Sequence, residues 1–220
     1  TNNTFPVEMF FEDMGGKKLY SSNTSEEKII FSILNPNLWS AEQPNLYRLV
    51  IKTCTETIVK NIGFKKVEVI DNKFYFNKQL IKLHGVNYHD SHPKKGPAIS
   101  FEDILQDLNL MKSCNINAIR TSHYPKSPLF YELCNIIGFY VLSEADIECH
   151  GVTELCGRDW KESYNLLAED GKYEKIILDR IQHSIIPFRN ESSVFMWSLG
   201  NESGYGVNFE KGLILDRKSV

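Results

Sequence analysis

The pattern of apolar and polar positions divides the chain near residue 70. Before it, short apolar runs rich in β-branched and aromatic residues alternate with glycine, proline and asparagine. Runs of this kind, bounded by turn residues, predict β-strands. The predicted strands cover residues 7–11, 27–33, 46–52 and 57–64. Residues 1–70 are therefore predicted to form a small antiparallel β-sandwich that lacks some of its strands.

From residue 71 onward, continuous apolar strands alternate with segments of helical periodicity. After a hairpin-like stretch, the predicted strands cover 83–89, 116–119, 139–142 and 194–199, and the helices lie near 104–111, 128–137 and 173–188. Strands that are apolar on both faces indicate a parallel sheet, either doubly wound or a (β/α)8 barrel. No glycine-rich phosphate motif follows the first strand, which disfavours the nucleotide-binding alternative. A complete barrel needs roughly 250 residues, so 71–220 would be the first half of one.

Composition and charge narrow the cellular context. The 220 residues carry a formal net charge of -3, with scattered lysines and arginines, which gives no indication of binding to nucleic acid or to an anionic membrane. The sequence shows neither a signal-peptide pattern nor an apolar run long enough to span a membrane. Five irregularly spaced cysteines without a CxxC motif favour reduced thiols and a cytoplasmic location.

Polar, chemically capable residues follow each of the four predicted parallel strands. They are Asn87 and His89, residues 120–124, residues 144–150 and residues 200–203. Each has an ordinary structural explanation when taken singly, such as an ion pair for Arg120. In a barrel, however, the carboxyl ends of the strands meet on the face that carries the active site. Their convergence therefore favours a functional site over surface decoration.

The residue types at this site fit glycosidic bond hydrolysis. That reaction needs a carboxylic acid to protonate the leaving oxygen, and Glu202 can supply it, while Asn201 can bind a sugar hydroxyl. Glu148 and His150, together with Glu202, could hold a divalent ion. Magnesium prefers oxygen ligands and keeps several waters, so a histidine ligand would be unusual for it, and on ligand type alone one imidazole and two carboxylates fit zinc better.

Several long motifs, in order, resemble glycoside hydrolase family 2 enzymes of the β-galactosidase type. They are the segments 38–47, 63–67, 85–89, 120–125, 144–151 and 189–204, so that the resemblance spans about residues 30–208. It implies an immunoglobulin-like β-sandwich, in part, followed by the first half of a (β/α)8 TIM barrel. The family usually has Arg or Lys where this chain has Tyr88, and His-Pro where it has Glu191-Ser192.

The resemblance also implies roles for individual residues. Glu202 would be the acid/base, and Glu148, His150 and Glu202 would bind Mg²⁺, while His89, His123 and Asn201 would contact the sugar. Such enzymes retain anomeric configuration through a covalent intermediate. The attacking glutamate is expected beyond residue 220, so the 220 residues alone are expected to be inactive. The complete enzyme would act on β-galactosides such as lactose, form a homo-oligomer and carry a sodium site as well.

Two alternatives remain at this point. Family 2 β-glucuronidases share motifs like those at 122–125 and 201–202 but lack the Ile-Glu-x-His-Gly pattern at 147–151, so that pattern favours a galactosidase. Another family 2 specificity, for a glucuronide or mannoside, stays possible on sequence. The second alternative is an inactive module that binds carbohydrate or complements a partner chain, since a half barrel has two unpaired sheet edges.

Overall fold

The structure is a computed structural model that describes residues 6–26, 28–156 and 163–219. The chain forms two compact units, Thr1–Ile81 and Lys82–Val220. This division into compact units does not test the predicted boundary between two domains at residues 70/71, which stays a prediction. The fold class is confirmed: sandwich strands are followed by a partial parallel α/β barrel.

The first unit contains two antiparallel sheets. The four-stranded sheet has the order β2-β1-β3-β4 and the three-stranded sheet the order β5-β6-β7. The strands are β1 Val7–Asp13, β2 Lys18–Thr24, β3 Tyr47–Lys52, β4 Thr57–Ile62, β5 Val67–Ile70, β6 Lys73–Phe76 and β7 Gln79–Leu80. Phe11 on β1 stacks on Tyr47 of β3, with ring centroids 5.4 Å apart. Aromatic packing between neighbouring strands therefore stabilises this sheet.

The strand predicted at residues 27–33 is wrong. Residues 28–33 form no strand, and Ile30 is 81% exposed. Phe31 instead stacks its ring on Tyr20 of β2 at 4.3 Å, so the segment packs onto the sheet through a side chain without joining its ladder. β1 pairs with β3 on one side and with β2 on the other, and the pattern did not predict β2 because its apolar residues are few.

The second unit is built on a four-stranded parallel sheet in the order β11-β10-β9-β8. Its strands are β8 Gly85–Tyr88, β9 Ala118–Thr121, β10 Tyr140–Glu144 and β11 Val194–Ser198. Its helices are α1 Phe101–Ser113, α2 Pro128–Ile137, α3 His150–Leu155, α4 Leu166–Glu169, α5 Glu174–Ile185 and α6 Val207–Ser219, with a 3-10 turn at Gly171–Tyr173. Parallel neighbours connected through helices are the (β/α) pattern that the sequence predicted.

Local signals fix the ends of the first two helices of this unit. Ser100 caps α1 in a capping box with Asp103, which satisfies amide groups that the first turn leaves unpaired. α2 begins with Pro128 and ends at Gly138, whose φ of 90° only glycine adopts readily. Both helices pack onto the sheet through buried side chains such as Leu108.

The helix that follows β11 is α6. It packs against α5 through the buried Phe209 and through Gly212, where a Cβ would lie 2.4 Å from Cδ1 of Ile181. Its apolar positions show little helical periodicity in the sequence, so close packing on α5 takes the place of an amphipathic stripe. Within the described part of the chain, none of the helices has both the length and the apolar character needed to cross a membrane.

Candidate active site

The carboxyl ends of the four parallel strands bring the predicted site residues to one edge of the sheet. The register places Asn87 of β8 beside Arg120 of β9, and Arg120 beside Leu142 of β10. Glu144 ends β10 opposite Ser198 of β11. Since the strands run in the same direction, the segments that follow them emerge together.

Glu144 is the most enclosed acid of the site, and its side chain is 0% exposed. Arg120 donates to it twice, from Nε to Oε2 at 2.7 Å and from Nη2 to Oε1 at 2.9 Å. Ser198 Oγ donates to Oε2 at 2.8 Å, and His123 Nδ1 lies 2.8 Å from Oε1. A buried carboxylate is tolerated only when it is paired and hydrogen-bonded in this way, so Glu144 is the anchor of the cluster.

The same contact fixes the orientation of His123. An ionised carboxylate only accepts hydrogen bonds, so Nδ1 of His123 must be the donor to Glu144. The approach of Arg120 Nη2 to that nitrogen, at 3.3 Å, is then a contact between two donors and not a hydrogen bond. The opposite ring nitrogen, Nε2, faces away from Glu144. Glu144 therefore sets both the tautomer and the aim of His123.

Arg120 also links the cluster to the segment after β11. Its Nη2 donates to Oδ1 of Asn201 at 2.9 Å, and its Nη1 lies 3.4 Å from Oδ1 of Asn87. With its oxygen held by the guanidinium, the Asn201 amide turns its NH₂ end away from Arg120. That end can donate to a ligand oxygen.

His89 lies beside His123, with ring centroids 5.1 Å apart at 78°. Loss of hydration and then the neighbouring His123 and Lys126 hold the pKa of His89 below its ordinary value. The two imidazoles form a pair of polar rings at the strand ends, where Tyr124 packs at 6.5 Å from His89.

A second cluster consists of Glu148, His150 and Glu202. Nδ1 of His150 lies 2.8 Å from Oε1 of Glu148, and its Nε2 lies 2.5 Å from Oε2 of Glu202. The side chains of Glu148, His150 and Glu202 are 40, 45 and 56% exposed, respectively. One ligand atom from each residue lies within 4.8 Å of the others.

The backbone after β11 holds Glu202 in an unusual conformation. Gly200 has φ 152°. It lies so close to the segment after β10 that a Cβ would be 2.6 Å from the Ile147 carbonyl oxygen. The same oxygen accepts from the Asn201 amide at 2.9 Å and from Ser203 Oγ at 3.2 Å. Glu202 itself has φ 37°, in the left-handed region that costs a non-glycine residue free energy. The surrounding contacts hold the glutamate where it reaches His150.

The donor set of this cluster fits a divalent cation. Two carboxylates and one imidazole are ligands that proteins use for zinc, and carboxylates with water are the ligands that magnesium prefers. The three side chains are partly exposed, which leaves room for water ligands. Glu148 and His150 come from the segment after β10, where His150 begins α3, and Glu202 comes from the segment after β11.

The sequence-predicted residues thus form two groups. His89, His123 and Asn201 gather around Arg120, and Glu148, His150 and Glu202 form the cation cluster. Their chemical roles stay predictions. Sequence reasoning did not assign Arg120 a place among the site residues, although its position at a strand end was a signal. It gave no attention to Lys126, which is buried near this edge and for which the local sequence offers no signal.

Comparison with known proteins gives the family. The profile of glycosyl hydrolases family 2, TIM barrel domain, matches residues 67–218, and that of glycosyl hydrolases family 2 matches residues 8–65. A β-galactosidase of Staphylococcus xylosus is 53% identical over 182 residues, which is 83% of this chain and 18% of that protein. A β-galactosidase of Actinobacillus pleuropneumoniae is 43% identical over 209 residues, covering 86% of this chain and 21% of that protein.

Among solved structures, a β-glucuronidase from Ruminococcus gnavus in complex with uronic isofagomine superposes with a TM-score of 0.82. It is 22% identical and matches 99% of this chain but 38% of its own, so the likeness concerns the fold alone. The chain spans about a fifth of the length of the curated relatives named above. With both family profiles matched in order along its length, the chain belongs to glycoside hydrolase family 2.

Proposed function

We propose that this chain supplies the acid/base, the sugar-contacting residues and a divalent-cation site of a retaining β-galactosidase. The observation that carries the proposal is the meeting of Glu202 with Glu148 and His150, next to an Asn201 that Arg120 orients. The identity to β-galactosidases of two bacteria supports the choice of substrate. The attacking carboxylate is expected on a later strand of the barrel, beyond residue 220.

In this proposal Glu202 protonates the glycosidic oxygen as the bond to the leaving group breaks, and later takes a proton from water. A divalent cation held by Glu148, His150 and Glu202 would be Mg²⁺, which would supply a positive charge beside the acid/base. Asn201 donates from its NH₂ end to a sugar hydroxyl. His123, held through Nδ1 by Glu144, presents Nε2 to the sugar together with His89.

The proposal extends to the setting of the enzyme. The five cysteines are all free thiols, including the buried Cys134 and Cys149, which agrees with a reducing compartment such as the cytoplasm. The complete protein is proposed to be a homo-oligomer that acts on soluble β-galactosides such as lactose and to carry a sodium site. Size-exclusion chromatography with light scattering on the complete gene product tests the oligomer directly.

The experiment that tests the function is hydrolysis of matched aryl β-galactoside, β-glucuronide and β-mannoside by the complete gene product. The β-galactoside alone should be turned over, and Glu202→Gln should lower kcat by about 10²- to 10⁴-fold, as expected for loss of a general acid/base. Glu132→Gln, an exposed change on α2, serves as the matched control. Preference for the glucuronide or mannoside would overturn the substrate, and no turnover of any of the three would overturn the activity.

A further inference from the structure

Lys126 is a buried cation that the proposed chemistry does not use. Its side chain is 0% exposed, and it lies between the residues that follow β8 and those that follow β9. Burial disfavours the charged form of a lysine, and its pKa is lowered from the ordinary value for that reason, although Asp90 acts in the opposite sense. A cation in such a place needs partners, and their identity indicates what it does.

Each partner of the Lys126 ammonium group lies next to one of the two histidines. Nζ donates to the Ser122 carbonyl oxygen at 3.0 Å and lies 3.6 Å from the ring centroid of Tyr124, so it contacts both neighbours of His123. The same Nζ lies 3.4 Å from Oδ2 of Asp90, the residue after His89. A cation this close to an aromatic face and a carboxylate is held by both.

One ammonium group therefore joins the segment after β8, at Asp90, to the segment after β9, at residues 122–124. The rings of His89 and His123, carried by those segments, meet at 5.1 Å. Hydrogen bonds of the sheet ladder end at Tyr88 and Thr121, so the ladder does not fix the relative position of the two histidines. The Lys126 contacts lie just past that point.

We propose that Lys126, with Asp90 as its counter-ion, is a positioning residue that sets the separation of His89 and His123 for contact with the sugar. The proposal deepens the galactosidase assignment and rests on it for the sugar contact. Lys126 itself touches no substrate in this arrangement, because its side chain is fully enclosed. Its removal should loosen the two segments and leave the acid/base cluster around Glu202 in place.

The test compares Lys126→Met, Lys126→Arg and Asp90→Asn, with Lys94→Met as the matched control on the exposed connection before α1. In the complete gene product, Lys126→Met and Asp90→Asn should each lower kcat/KM for an aryl β-galactoside by about 10- to 100-fold. The double variant should lose little more than either single one, because both remove the same link. Lys126→Arg, which keeps the charge, should recover part of the loss.

A second readout does not depend on activity. Histidine NMR titration of the 220-residue chain should show the pKa of His89 rising in Lys126→Met and falling further in Asp90→Asn, since the ammonium disfavours and the carboxylate favours its protonation. In the described part of the chain, the charged or titratable groups that face His89 are His123, Arg120, Lys126, Asp90 and Tyr124, and Lys94→Met changes none of them. The ring resonances of His89 and His123 should shift together in both variants.

The outcomes separate the two proposals. Unchanged kcat/KM and unchanged histidine titrations in Lys126→Met and Asp90→Asn, with only a lower unfolding midpoint, would show a structural role and overturn the positioning role. Should Lys126→Met fail to fold, Asp90→Asn and Lys126→Arg give the same decision. A wild-type protein that hydrolyses no glycoside would overturn the galactosidase assignment, while the NMR titrations would still decide whether Lys126 links the two histidines.

Discussion

Arg120 holds Glu144 through two parallel hydrogen bonds, Nε to Oε2 at 2.7 Å and Nη2 to Oε1 at 2.9 Å, across neighbouring strands β9 and β10. The pair is the centre of the site, because its arginine reaches Asn201 and its carboxylate orients His123. A buried pair of this kind is weak evidence for net stability, but loss of one partner is costly, since the other charge stays in place without compensation.

The first prediction concerns that loss. Glu144→Gln keeps the shape of the side chain but removes the charge that faces Arg120 and His123, so we expect the free energy of unfolding to fall by about 3 kcal/mol. Glu132→Gln, the same change at an exposed position of α2, should stay within about 0.5 kcal/mol of wild type. Urea unfolding of the chain measures both, and equal midpoints for the two variants would contradict the assigned role of Glu144.

The second prediction concerns the cation cluster. Mg²⁺ should raise the unfolding midpoint of the chain, because a ligand at 100 times its Kd stabilises the folded state by about 2.7 kcal/mol. His150→Gln should remove this dependence, and His183→Gln, on the exposed side of α5, should keep it. A metal-dependent rise that survives His150→Gln would place the ion elsewhere. A rise with Zn²⁺ but not Mg²⁺ would change the metal and keep the site.

The elements that could be predicted from the sequence are those whose ends are set locally. α2 was predicted at residues 128–137 and lies there, because Pro128 and Gly138 act through their own backbone preferences. β9 was predicted at 116–119 but runs Ala118–Thr121, because the ladder with β8 decides where pairing begins, while Ile116 packs against the core instead. The strand β2 was missed for the same reason. Its pairing with β1 decides where it lies, whereas its own apolar content is low.

Some features of the candidate site could likewise be predicted from the sequence, and others could not. The positions of Asn201 and Glu202 at a strand end could be predicted, because the parallel topology places strand ends on one edge. The contacts that aim them could not, since Arg120 meets Asn201 across 81 positions of chain and Glu144 across 24. Lys126 was beyond prediction for the same reason: its partner Asp90 lies after a different strand, and no local pattern connects the two.

The third prediction concerns acid unfolding. Asp103 accepts from Lys95 Nζ at 2.6 Å and from the Ser100 amide at 2.7 Å, and these hydrogen bonds lower its pKa from 3.8 to about 2. A depressed pKa in the folded state contributes stability that is present above pH 3.8 and is lost as pH falls through about 2. Asp103→Asn should therefore unfold with a weaker pH dependence over this window.

The control for that experiment is Asp179→Asn, an exposed change on α5, which should keep the wild-type pH dependence. Urea unfolding midpoints measured at steps from pH 5 to pH 2 give the three curves. Curves for wild type and Asp103→Asn that run parallel throughout would show that the contacts of Asp103 with Lys95 and Ser100 add no pH-dependent stability.

The fourth prediction concerns the support beneath Glu202. A Cβ on Gly204 would lie 2.3 Å from both the Tyr164 carbonyl oxygen and Oδ1 of Asn165, and the first of these is backbone that cannot turn aside. Gly204→Ala should therefore displace the segment that carries Glu202, at a cost of about 1–3 kcal/mol in unfolding free energy. In the complete gene product it should also lower kcat on the β-galactoside.

Gly171→Ala is the matched control for this change, because a Cβ there meets nothing within 4 Å. The comparison separates a general effect of alanine from the close approach at Gly204. If the two variants unfold alike and Gly204→Ala keeps the wild-type kcat, the packing of residues 164–165 on this segment does not hold Glu202. If Gly204→Ala loses both stability and kcat while Gly171→Ala loses neither, the segment before α4 belongs to the support of the acid/base.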